Sequence, residues 1–130
     1  PNHRYFFGKI MAKNEKKLVR NNFRKVVFER DNYKCRVCGK LGEDRQTGFS
    51  KHKGNLEELD AHHICDRHLL PNGGYVLENG ISLCSDCHLK AESHWKDGAT
   101  PVQDFSPDDL YKLIDSSLEK AQEASVKFEI

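Results

Sequence analysis

The sequence predicts an α+β domain in which strand, turn, strand and helix sit inside a loop closed by four cysteines. Three observations carry that expectation. Two C-x2-C pairs, YKCRVCGK and LCSDCH, set Cys35, Cys38, Cys84 and Cys87 at the spacing of metal-binding knuckles. Between them LDAHHICDRHLL reads as a strand ending in adjacent histidines, PNGG as a turn, and GISL as the returning strand. Helical patterns flank this unit on both sides.

Length and composition fit one small domain. The chain has 130 residues, 37% hydrophobic and 32% charged, which is lean for a buried core. Small domains are marginal, and a bound metal is a common remedy. No apolar run approaches the roughly 18 residues of a membrane span. The N-terminal PNHRYFFGKIMAKNEKK lacks the apolar centre and small-residue cleavage site of a signal peptide. A cytoplasmic setting with reduced cysteines is therefore expected. Net charge is +1, but residues 1–36 carry 11 Lys and Arg against 3 Asp and Glu, and the remainder 10 against 17. Such a basic end is either a solvated face or an electrostatic handle for phosphates.

Residues 1–17 mix aromatics with lysines without a clear period and read as an arm, followed by a single domain over 18–130. Val19, Phe23, Val26 and Val27 fall at helical spacing, and Arg20, Arg24, Lys25 and Arg30 occupy other faces of the same helix. Residues 39–57 are polar and glycine-rich and read as a loop or irregular hairpin. Leu56 to Ile64 form the first strand, Gly80 to Leu83 the second, and Ser85 to Trp95 a helix, so the central motif spans about 56–95. A C-terminal packing helix follows at about 106–124. Ser106 caps it, Pro107 takes its first position, and Leu110, Leu113, Ile114 and Leu118 form its apolar stripe.

Four thiolates complete a tetrahedral shell, so the cysteines predict a structural Zn2+. A disulfide framework is disfavoured by the count of five and by the reducing setting, and Cys65 is left over as an ordinary small side chain. A closed four-sulfur shell has no open position and catalyses nothing. Chemistry then falls to His62, His63, His68, Asn79, His88 and His94. Adjacent strand residues face opposite ways, which makes His62 and His63 a poor bidentate metal site. They are better suited to giving two different groups access to one reaction.

The run AHHI, then ENGISLC, then SDCHLKAE resembles the HNH nuclease family over about residues 35–95. The resemblance implies a ββα-metal (His-Me finger) core, stapled by the four-cysteine zinc and flanked by the basic helix and the C-terminal helix. It gives His62 a metal-ligand position that other members fill with aspartate, and His63 the general-base position. Asn79 takes the middle position, whose side chain braces the loop and helps orient the base. His88 takes the second metal-ligand position. Glu92 stands one helical turn further on, where the colicin nucleases add a ligand, although a glutamate on a helix face is usually just solvated. His68 and His94 inherit no role.

The implied activity is metal-dependent hydrolysis of DNA, nicking one strand per site. Mg2+ or Mn2+ is the expected catalytic ion, and histidine ligands also admit Ni2+, Co2+ or Zn2+. An unperturbed histidine, with a pKa near ~6.5, suits deprotonation of water at physiological pH. Arg20, Arg24, Lys25 and Arg30 would grip the DNA backbone, giving affinity with little sequence information. A monomer or homodimer without membrane association is expected. Small members of this sort occur in bacteria and phages, and some phage members act beside the packaging terminase. A non-catalytic zinc module would explain the cysteines and the basic end, but not the histidines in their order. An RNA-directed nuclease would share every one of these residues.

Overall fold

The computed structural model describes residues 5–6, 9–10 and 12–128. The rest of the predicted arm lies outside the described residues. A short ribbon pairs β1 (Tyr5–Phe6) with β2 (Lys9–Ile10), and helix α1 (Lys13–Arg30) follows. The helix thus begins before the expected boundary at residue 17. Its lysines are good helix formers, and Glu15 reaches back to accept from the Ala12 amide at 3.1 Å. Val19, Phe23, Val27 and Phe28 are its buried residues, whereas Val26 points outward.

A three-stranded sheet has the order β3 (Gly42–Asp44), β4 (Glu57–His63), β5 (Gly80–Cys84). The β3 strand runs parallel to β4 inside the stretch read as loop, and its three residues are too few for alternation to register. The β4–β5 pairing is antiparallel and matches Leu59 to Cys84, His62 to Ile81 and His63 to Gly80. Every residue of β5 is buried. At Gly80 the requirement is space: an added Cβ would lie 2.4 Å from Val27 Cγ2 and 2.8 Å from Phe23 Cζ. Hydrogen there lets α1 lie directly on the strand. The PNGG turn uses left-handed backbone at Asn72 (φ 56°) and Gly73 (φ 79°).

Asp31, at the end of α1, ties the helix to the first cysteine knuckle and to the sheet. Its buried carboxylate accepts from Arg30 Nε (2.7 Å), from Arg36 (3.0 Å) and from the Ser82 amide of β5 (2.8 Å). Arg30 also donates to the carbonyls of Leu77 (2.8 Å) and Gly80 (2.6 Å). Its guanidinium therefore fastens α1 to the strand. Arg30, expected among the residues that grip DNA, thus has four of its five N–H groups engaged within the protein.

Helix α2 (Ser85–Glu92) starts on the second cysteine pair and stops short of Trp95. The expected C-terminal helix is two helices, α3 (Pro107–Leu113) and α4 (Leu118–Lys127). Ser106 and Asp109 form the reciprocal cap that starts α3. The break falls at Asp115, whose φ of 53° ends α3, and the Ser117 side chain caps α4 by accepting from the Lys120 amide. Leu113 and Leu118, read as parts of one stripe, are 40% and 43% exposed. Leu110, Tyr111 and Ala121 supply the contact with the main core instead.

Replacing Gly80 with alanine is expected to push α1 off the sheet and destabilise the protein by about 1–3 kcal/mol. Thermal or urea denaturation would show it, and a parent-like midpoint would mean that the helix can shift at no cost.

Candidate active site

The four cysteines converge as the sequence predicts. The sulfurs of Cys35, Cys38, Cys84 and Cys87 all lie within 4.8 Å of one another, and the cluster could hold a metal ion such as zinc. Its first knuckle is shaped by backbone: the Gly39 amide donates to the Cys35 carbonyl (2.9 Å), and the Cys35 amide to the Lys40 carbonyl (2.9 Å). The Arg36 amide then donates to the Ser82 carbonyl (2.9 Å), which docks this knuckle on β5, whose last residue is Cys84. Cys65 stays outside the cluster, buried and free, with burial raising its thiol pKa.

At the other end of the same ladder, the pleat of β4 parts the two histidines. Asp60 and His62 project toward α2, and Ala61 and His63 toward α1. The His63 ring stacks on Phe23 (centroids 4.4 Å apart) and meets the edge of Tyr75 (4.7 Å). Two aromatic rings thus fix its plane. The His62 ring meets His88 of α2 edge-on at 5.1 Å. Its Nε2 is buried with no hydrogen-bond partner, an arrangement that normally costs stability and that suits a metal ligand. Burial first, then the neighbouring His88 and His63, lowers its pKa to about 3, so the ring is neutral at physiological pH.

His88 is held from both sides. Its Nδ1 lies 3.2 Å from Asp60 Oδ2, and its Nε2 lies 3.3 Å from Glu92. Arg45 clamps Asp60 with two hydrogen bonds of 3.0 Å and reaches the Ser85 hydroxyl. Burial alone would raise the Asp60 pKa. Hydrogen bonds from His88 and Arg45 outweigh it and bring the carboxyl to about 2. A carboxylate behind an imidazole in this way fixes the tautomer and turns the other ring nitrogen outward, the usual support for a metal-binding histidine. Asp60 was legible in principle, since it precedes His62 by two residues on the same strand face. His62, His88 and Glu92 do not form a tight three-ligand cage. Among the described residues, the only group of three or more candidate ligand atoms within 4.8 Å is the cysteine cluster.

Asn79 is fully buried and every hydrogen-bonding position of its amide is used. Its Oδ1 accepts from the Cys65 amide (3.0 Å) and the Tyr111 hydroxyl (2.7 Å), and its Nδ2 donates to the carbonyls of Cys65 (3.1 Å) and Gly74 (3.2 Å). Its own carbonyl accepts from Ile64, next to His63 (2.9 Å). A saturated amide braces the loop and has no donor or acceptor left for substrate. Burial raises the Tyr111 pKa, which keeps that hydroxyl a donor. Tyr111 gives α3 a part in the site that no sequence pattern announces.

One cavity of about 490 Å³ collects the histidines, lined among others by His62, His63, His88, Glu92, Arg20 and Arg67. Arg24 also borders it, paired with Asp44 (3.4 Å) and hydrogen-bonded to Asn21 (3.0 Å). Arg20 and Lys25 are exposed on α1. His68 is exposed beyond Arg67, and His94 packs edge-on against Trp95. Residues 35–94 match the model of the HNH endonuclease family.

That segment is thus similar to HNH endonuclease domains. No curated protein and no solved structure compared with the chain matches it. HNH domains belong to nucleases that act on nucleic acids and use divalent metals. The match covers both cysteine pairs, the paired histidines, Asn79 and His88, and ends at His94 before the C-terminal helices.

Replacing Cys84 with serine opens the thiol cluster at the strand it anchors. The midpoint of thermal unfolding is expected to fall by about 10 °C or more, with loss of bound metal. An unchanged midpoint would mean that the fold does not depend on an ion at the four thiols.

Proposed function

We propose that this HNH domain is a metal-dependent DNA endonuclease that hydrolyses phosphodiester bonds and nicks one strand per site. The observation that carries the reading is the division of His62 and His63 between two faces of β4 while both border one cavity. His63 is the general base. Its ring, held between Phe23 and Tyr75, takes a proton from water and cannot swing away. His62 and His88 hold the divalent ion, Mg2+ or Mn2+, with Glu92 beside them. The donor set fits: a neutral, buried imidazole nitrogen without a partner faces a second imidazole that a carboxylate orients. When bound, the ion supplies charge neutralisation for the phosphate and stabilisation of the leaving oxygen.

The other residues serve these. Asn79 positions the loop behind His63, and Asp60 with Arg45 orients His88. The four cysteines hold a structural Zn2+ that fixes the start of α2, and so the place of His88. Arg20 at the cavity and Lys25, exposed elsewhere on α1, bind the DNA backbone.

Supercoiled plasmid, parent protein and His63→Ala, with EDTA and then Mg2+ or Mn2+, test the reading. The parent is expected to produce open circles only with metal, and the variant to lose about 100-fold or more in rate with its fold intact. Cutting by His63→Ala at the parent's rate would refute the assignment. DNA that is bound and never cut would favour a non-catalytic zinc module, and a structured RNA run in parallel would reveal an RNA preference.

The rate is expected to rise with pH as His63 loses its proton. His62, with its pKa lowered to about 3, is neutral across pH 5–8 and adds no step there. A flat profile with chemistry rate-limiting would remove His63 as the base.

A further inference from the structure

Of the arginines on the cavity wall, Arg20 is assigned to the DNA backbone, and the proposed mechanism leaves Arg24 and Arg67 unused. Arg67 lies on the loop between β4 and β5, in the short turn Arg67–Leu69, exposed at the rim of the cavity that holds the three histidines. Arg24, which also lines the cavity, already faces the Asp44 carboxylate. Arg67 differs. Among the described residues its hydrogen-bond partner is the neutral Tyr75 hydroxyl, at 3.1 Å from one terminal nitrogen. The adjacent Asp66 carboxylate caps its own turn by accepting from the His68 amide at 2.8 Å. Glu92, the other acid on the wall, lies against His88.

Tyr75 makes this placement specific. The tyrosine is buried, and its ring stands perpendicular to that of His63, centroids 4.7 Å apart, while its hydroxyl holds Arg67. One rigid side chain therefore sets the separation between the base and a guanidinium. That guanidinium keeps four further N–H donors, in a planar fork suited to two oxygens of one phosphate.

We infer that Arg67 is a further catalytic residue, binding the non-bridging oxygens of the scissile phosphate beside His63. The inference rests on the nuclease reading proposed for the histidine cavity. When water attacks phosphorus, its proton passes to His63, a P–O bond forms to the water oxygen, and the P–O bond to the leaving oxygen breaks. The leaving oxygen takes up a proton from solvent. Negative charge gathers on the non-bridging oxygens as the phosphorus becomes five-coordinate, and a fixed guanidinium binds that state better than the starting diester. Lysine in its place would keep the charge and lose the fork.

The test compares parent, Arg67→Ala and Arg67→Lys in single-turnover nicking of supercoiled plasmid with Mn2+, over a range of enzyme concentrations. Thermal midpoints are measured alongside; the exposed position is expected to leave them unchanged. The maximal rate is expected to fall about 100-fold in Arg67→Ala, with half-saturation moving far less. Arg67→Lys is expected to fall between the two, and added guanidinium ion to restore part of the alanine variant's rate. A variant that cuts at the parent's maximal rate overturns the assignment, even if it needs more protein to do so, because Arg67 would then only add affinity. A parent that never cuts with metal overturns the nuclease reading itself.

Discussion

The register of β4 on β5 is the constraint on which the rest depends. Five consecutive pairs run from Leu59↔Cys84 to His63↔Gly80, so one ladder has a cysteine of the four-thiol cluster at one end and the paired histidines at the other. Side chains on a strand alternate, and a slip of one residue would exchange the faces of His62 and His63. The same slip would carry Cys84 away from the knuckle at Cys35 and Cys38. The cysteine cluster and the cavity are therefore two consequences of one pairing. Gly80 lets α1 press on that ladder, and Asp31 fastens the helix to it through the Ser82 amide.

The cavity is built against local stability, as sites for ligands generally are. A buried imidazole nitrogen without a partner, at His62, costs about 1–3 kcal/mol. Around it the polar groups are arranged to offset one another. Asp60 keeps its charge because Arg45 and His88 face it, and Asn79 is saturated by loop backbone and Tyr111. The loop that carries Arg67 is held by the Asn79 amide and by α4, where Asn72 donates to the Ser125 carbonyl at 2.8 Å. The C-terminal helices thereby reach the site through hydrogen bonds as well as through packing.

Much of this was legible in the sequence, for reasons that differ from residue to residue. The cysteine spacing, the strand ending in His62 and His63, and the turn at PNGG are local signals, and each lies where its pattern predicts. The family resemblance extended over the segment that the HNH match covers. Periodicity failed where the chain breaks: one stripe drawn from Leu110 to Leu118 crosses the left-handed residue Asp115, so its two halves belong to different helices. Charge pattern does not announce the contacts of Arg30, because a basic residue on an amphipathic helix looks the same whether it faces solvent or a buried aspartate. Tyr111 and Asn79 are 32 residues apart, and Arg45 and Asp60 are 15 apart. Such pairings exist only once the strands are in place, and no local pattern encodes them.

The division of labour between the adjacent histidines is the centre of this account, and metal binding separates it from catalysis. Calorimetric titration of Mn2+ into the zinc-loaded parent, His62→Ala and His63→Ala tests it most directly. Binding beyond the zinc is expected to vanish in His62→Ala and to survive in His63→Ala at close to the parent's affinity. Loss in His63→Ala, or parent-like binding in His62→Ala, would contradict it.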